Sequence, residues 1–127
     1  MYAAIKANGY GQGANIVARA LSQEADGFAL MESETAAEIR LDGFAVPITL
    51  PEGFHEPTDL NHIAAFDFEA VVHCAEQVQW VNLHRRRPLK IWLKVDTGMS
   101  RPGLPRSHLT TALTRLASAP NVDPQPL

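Results

Sequence analysis

Short apolar runs rich in β-formers alternate along this chain with longer segments at helical spacing, the pattern of successive βα units. Five such units can be read. Their strands are expected over Tyr2 to Lys6, Gly27 to Leu30, Val46 to Leu50, Glu69 to His73 and Lys90 to Val95. Helices are expected over Ala14 to Glu24, Glu34 to Leu41, Pro57 to Ala65, Ala75 to Arg86 and Ser107 to Ser118. Ser33 can cap the second helix and Gly43 stop it, Pro57 suits a first helical turn, and Ser107 can cap the last. The alternation allows an open doubly wound sheet or part of a (β/α)8 barrel. With 127 residues the chain falls short of a whole barrel, which takes about 250. Met1 leads straight into a strand, and the tail from Ala119 to Leu127 reads as a connector, so both ends are expected to be cuts in a longer fold.

Hydrophobic residues make up 46% and charged residues 20% of the chain, a globular balance able to bury a core. The net charge is −3, and the one dense basic cluster, Arg85 to Arg87, reads as a solvated helix C-terminus, so neither nucleic acid nor an anionic membrane is expected as partner. The single cysteine, Cys74, has no disulfide partner in the chain and opens a helical pattern, where it is expected to be packed rather than reactive. No apolar stretch reaches the roughly 20 residues of a membrane span, and the expected location is cytoplasmic.

Two stretches can carry chemistry. Lys6-Ala7-Asn8-Gly9-Tyr10-Gly11-Gln12-Gly13 sets a lysine at a strand end before a loop with glycines at alternate positions. Backbone N–H groups in such a loop can approach an anion, helped by the dipole of the following helix, although glycines after a strand also simply make a tight turn. Lys6 stands where barrel enzymes keep their reactive groups. Desolvated there, its amine would be neutral and able to condense with an aldehyde; left in solvent, it would only snorkel. The second stretch, Trp92-Leu93-Lys94-Val95-Asp96-Thr97-Gly98-Met99-Ser100-Arg101-Pro102-Gly103, brings two cations, Lys94 and Arg101, and the Asp96 carboxylate to the same sheet end. It reads as a surface turn with an ion pair, or as an arginine fork for an anionic cofactor or a substrate carboxylate. His55, His62, His73, His84 and His108 lack metal-ligand spacing, and no metal site is expected. Glu32, Glu34 and Glu38 read as the acidic start of a helix rather than a paired acid and base.

Together the two stretches resemble the alanine racemases of fold type III, whose first barrel strand ends in K-A-N-x-Y-G-H-G and whose fifth ends in K-x-D-T-G-M-x-R. Lys6 to Gly13 and Lys94 to Arg101 match these. Asp26 to Leu30, Pro47 to Phe54 and Ala70 to His73 resemble the strands between. The resemblance implies an α/β chain, about five units of a partial (β/α)8 barrel over residues 1–127, with the C-terminal β domain of the family absent. It implies an isomerase that interconverts L-alanine and D-alanine with pyridoxal 5'-phosphate, supplying D-alanine for the cell wall, as a homodimer when full length. Lys6 would hold the cofactor as a Schiff base and move the α-proton on the D-alanine side. Tyr10 would contact the cofactor phosphate. Lys94 would correspond to a frequently carbamylated lysine that orients Arg101 toward the cofactor's phenolic oxygen and the substrate carboxylate. Gln12 stands where the family has histidine, and Pro102 follows Arg101 where an apolar residue such as leucine is common. The fragment by itself is expected to lack racemase activity. The alternatives are a non-catalytic pyridoxal-phosphate-binding module and an unrelated phosphate-binding α/β module.

Overall fold

The computed structural model describes residues 1–123, which divide into two compact units, the first over 1–51 and the second from 52 onward. All five expected strands form.

In the first unit β1 (Tyr2–Ala4), β2 (Gly27–Ala29) and β3 (Ile48–Leu50) run parallel in that order, Ala3 opposite Phe28 and Phe28 opposite Ile48. Parallel neighbours need a crossover, and helices α2 (Ala14–Leu21) and α3 (Ser33–Leu41) supply them. Phe28, Leu30, Ile39 and Ile48 are fully buried, and alanines 14, 18, 36 and 37 let the helices lie close to the sheet. The third strand is shorter than expected because Pro47 has no N–H for the ladder; its carbonyl still accepts from Phe28. Ser33 lies inside α3 and donates to the Glu34 carboxylate, so it does not cap the helix, whereas Gly43, at φ 92°, ends it as expected. The Arg40 guanidinium donates to the carbonyls of Phe44 (2.7 Å) and Val46 (2.9 Å), fixing the path into β3.

In the second unit β4 (Glu69–Val72) and β5 (Lys90–Leu93) are parallel, Ala70 opposite Ile91, with α4 (Asp59–Phe66), α5 (Ala75–Leu83) and α6 (Arg106–Ala117) around them. Every residue of β4 is buried, the pattern of a strand covered on both faces. Its one carboxylate, Glu69, accepts from Trp92 Nε1 at 2.9 Å on the neighbouring strand. Several helix ends differ from expectation. Asp59 begins α4 because its carboxylate accepts from the N–H groups of His55 and Glu56, leaving Pro57 in the preceding turn. Ser107 lies within α6, one residue past its start. Helix α5 stops at Leu83, where His84 turns extended; Arg85, Arg86 and Arg87 are exposed beyond the end, and Arg85 donates to the carbonyls of Asn82 and His84. The tail is more than a connector: Leu89 donates to the Asn121 carbonyl, Asp123 donates back to the Leu89 carbonyl, and Asn121 Nδ2 reaches Val81 O. The remainder, 124–127, lies outside the described residues.

The buried His84 has no partner for Nε2 among the described residues. Burial pushes its pKa below the ordinary value; a hydrogen bond to the Arg87 backbone opposes this and the Arg86 charge adds to it. Below the ordinary value of 6.5 the unfolded chain therefore takes up a proton that the folded chain resists. Stability should be full above that pH and fall on acidification through it toward the lowered folded value. Chemical denaturation at a series of pH values should show this slope, and His84→Gln should flatten it. Truncating Phe28 to alanine should cost about 3–5 kcal/mol, while Ile16→Ala, on the outer face of α2, should stay within about 0.5 kcal/mol.

Candidate functional site

Lys6 does not sit in β1, which ends at Ala4, although the Ile5 N–H still bonds Ala29 O. It opens α1 (Lys6–Tyr10), a single turn whose following residues wind left-handed: Ala7, Asn8, Gly9 and Tyr10 have φ of 50°, 53°, 63° and 55°, and Gly11 continues at 82°. The ladder cannot continue through such backbone, which is why the strand is short. Side-chain-bearing residues in this conformation cost roughly 1–2 kcal/mol each, and three of the five carry one. The loop's own bonds offset the cost: Gly9 to Ile5 O, Gly11 to Ala7 O, Gln12 to Gly9 O and Gly13 to Asn8 O. Asn8 Oδ1 also accepts from Ala14 N at 2.8 Å, satisfying the first turn of α2, which has no side-chain cap of its own at Gly13. Sequence reading missed this part of Asn8; an asparagine six residues before a helix is not a usual capping position.

Of the two readings of the glycine loop, an anion cradle or a tight turn, these bonds favour the turn. The N–H groups of Gly9, Gly11, Gln12, Gly13 and Ala14 are spent inside the loop, so an anion here meets side chains rather than those amides. Of the two readings open for Lys6, desolvated or in solvent, the structure has the second: Lys6 is exposed, on a turn that follows the buried Ile5. Lys6 and Tyr10 are both exposed and have no side-chain bond among the described residues.

Lys6 and Tyr10 belong to the first unit, Lys94 and Arg101 to the second. Lys94 follows β5 and its N–H still bonds Val72 O, at 2.9 Å. Lys94, Asp96, Thr97, Met99 and Arg101 line one open concavity of 330 Å³. The turn of the first reading forms, without its ion pair among the described residues: Asp96 Oδ1 accepts the N–H groups of Gly98 (2.9 Å) and Ser100 (3.2 Å), the turn that a short carboxylate makes with its own backbone. At the opposite end of β5, Lys90 pairs with Asp67 at 2.8 Å. Past the end of β4, within the second unit, buried Gln77 accepts from His73 N and donates to Phe54 O, and Gly53 has no room for a Cβ, which would lie 2.1 Å from Val71 O. Cys74 is half-buried at the start of α5, and burial pushes its thiol up, away from a reactive thiolate. Among the described residues no group of His, Cys, Asp or Glu side chains can hold a metal ion, and no helix is long and apolar enough to cross a membrane.

The model of the alanine racemase N-terminal domain matches residues 1–127. The chain belongs to that family. It is 45% identical over 121 residues to the catabolic alanine racemase of Pseudomonas aeruginosa, covering 94% of this chain and 34% of that protein. To the alanine racemase of Aromatoleum aromaticum it is 42% identical over the same shares. The crystal structure of the biosynthetic alanine racemase from Pseudomonas aeruginosa superposes with a TM-score of 0.89 at 37% identity, over 96% of this chain and 34% of that one. The alanine racemase of E. faecalis gives 0.84 at 28% identity. The chain thus spans about a third of the length of these relatives, and its fold class is α/β, part of the alanine racemase barrel.

The two glycines of the lysine turn should respond differently to substitution. A Cβ on Gly9 would lie 2.9 Å from Val17 Cγ2, whereas one on Gly11 meets nothing within 4 Å. Gly9→Ala should lose about 2–4 kcal/mol from strain and overpacking together, Gly11→Ala only about 1 kcal/mol, as read from denaturation midpoints.

Proposed function

We propose that this chain is the cofactor-bearing part of a pyridoxal-phosphate-dependent alanine racemase. The observation that carries the reading is the strained left-handed turn that bears Lys6 and Tyr10 at its two ends, both exposed, since such strain persists where a functional group must be held. Family membership supports it, as do the matching residues at the end of β5. The donor set fits the cofactor: an amine for its aldehyde, a phenol for its phosphate, and a guanidinium for an oxyanion.

In this reading Lys6 Nζ would hold the cofactor and would take or return the α-proton on the D-alanine face. Tyr10 donates its phenolic hydrogen to a phosphate oxygen. Arg101 sets its planar fork against the cofactor's phenolic oxygen and the alanine carboxylate, and Lys94, carbamylated, would turn a positive group into a negative one able to orient that fork. Pyridoxal phosphate, when bound, supplies the electron sink that makes the α-hydrogen removable. Racemisation needs an acid–base group on each face of the substrate and Lys6 serves one, so we assign turnover to a longer protein, a cytoplasmic homodimer that furnishes D-alanine for the cell wall.

Mixing the purified chain with pyridoxal phosphate, reducing with borohydride and mapping peptides tests this directly. The expected result is one pyridoxyl adduct on Lys6, lost in Lys6→Ala. Equal labelling of Lys90 and Lys94, or no adduct, would sink the proposal.

A further inference from the structure

Arg101 is exposed, and its guanidinium has no hydrogen bond or ion pair among the described residues. A side chain that nothing holds is aimed by its backbone, and that backbone belongs to a loop closed at its neck. Leu104 donates to Lys94 O at 2.8 Å, Asp96 donates to Leu104 O at 2.9 Å, and Val95 and Leu104 form a parallel bridge. Leu104 is 1% exposed and anchors the neck in the core of the second unit. Gly103 passes so near that a Cβ on it would lie 2.8 Å from Asp96 N. Between these ends the loop has no apolar anchor: Thr97, Gly98, Met99, Ser100, Arg101 and Pro102 are all exposed.

What orders the loop interior is the Asp96 carboxylate, through its bonds to Gly98 N and Ser100 N. The second bond holds Ser100 at φ 55°, a left-handed backbone that disfavours a residue with a side chain. Ser100 immediately precedes Arg101, so its φ and ψ set the direction in which Arg101 leaves the loop. We infer that Asp96 is a positioning residue, aiming Arg101 by fixing the backbone of Ser100 rather than by pairing with either cation. The inference rests on the proposed function for what Arg101 grips; the placement of the loop does not.

The test compares Asp96→Ala, Asp96→Asn, Arg101→Ala and the Asp96→Ala/Arg101→Ala pair. Asparagine keeps an Oδ1 that accepts both N–H groups; alanine keeps none. Amide hydrogen exchange should show Gly98 and Ser100 protected in the unsubstituted chain and in Asp96→Asn, and unprotected in Asp96→Ala. Affinity for pyridoxal phosphate, titrated by absorption, should fall at least about tenfold in Asp96→Ala, within the roughly hundredfold that an ångström of misplacement costs. Asp96→Asn should stay within about twofold, and Asp96→Ala should add nothing once Arg101 is alanine, as a double-mutant cycle reads a residue acting through another. If Asp96→Ala does not fold, Asp96→Ala/Ser100→Gly replaces it, since glycine removes the backbone cost while leaving the aim of Arg101 unset. Lost protection with unchanged affinity overturns the inference alone, as does Asp96→Asn behaving like Asp96→Ala. An unsubstituted chain that takes up no pyridoxal phosphate overturns the proposed function and carries this inference down with it.

Discussion

Parallel pairing is the constraint from which the rest follows. Parallel neighbours need a crossover, so each unit must alternate strand and helix, and within a unit every strand leaves the sheet at the same edge. The residues after β1 in the first unit, and those after β4 and β5 in the second, are thereby committed to that edge whatever their chemistry. Strand interiors can then be apolar throughout, as β4 nearly is, and polar groups collect where strands end. Lys6, His73 and Lys94 each fall within two residues of a strand end.

Two devices at those ends spend backbone strain for placement, and both enlist a short polar side chain. In the first unit a left-handed turn presents Lys6 and Tyr10, and Asn8 links it to the start of α2 through Ala14 N. In the second, Asp96 holds the loop of Arg101 with Ser100 in the same unfavourable conformation. Neither Asn8 nor Asp96 needs to touch a ligand for these tasks. Asn and Asp suit them because their oxygens reach backbone N–H groups a few residues away.

The strands, the order of the units and the two reactive stretches were legible in the sequence because β-branched and aromatic runs, glycine spacing and local charge are short-range signals. Element ends were less so. Ser33 and Ser107 have the chemistry of caps, but each lies inside its helix, Ser33 as the first residue of α3 and Ser107 as the second of α6, and Asp59 rather than Pro57 opens α4 because its carboxylate satisfies two preceding amides. The tail looked like a connector because three prolines dominate it, yet Asn121 is buried and bonded to both Leu89 and Val81. That contact joins residues 40 apart, which no local window contains.

By itself the sequence determined that the chain alternates strand and helix, that it belongs with the alanine racemases, and which lysines and arginine could do chemistry, since these depend on residue type and spacing. Only the tertiary structure decided that the glycine loop spends its amides on itself, that Lys6 stands exposed on a left-handed turn, and that Asp96 serves Ser100 rather than a cation. The physical reason is competition. A backbone N–H or a carboxylate has several partners within reach in the sequence, and which one it takes depends on backbone angles that the packing of the whole unit fixes.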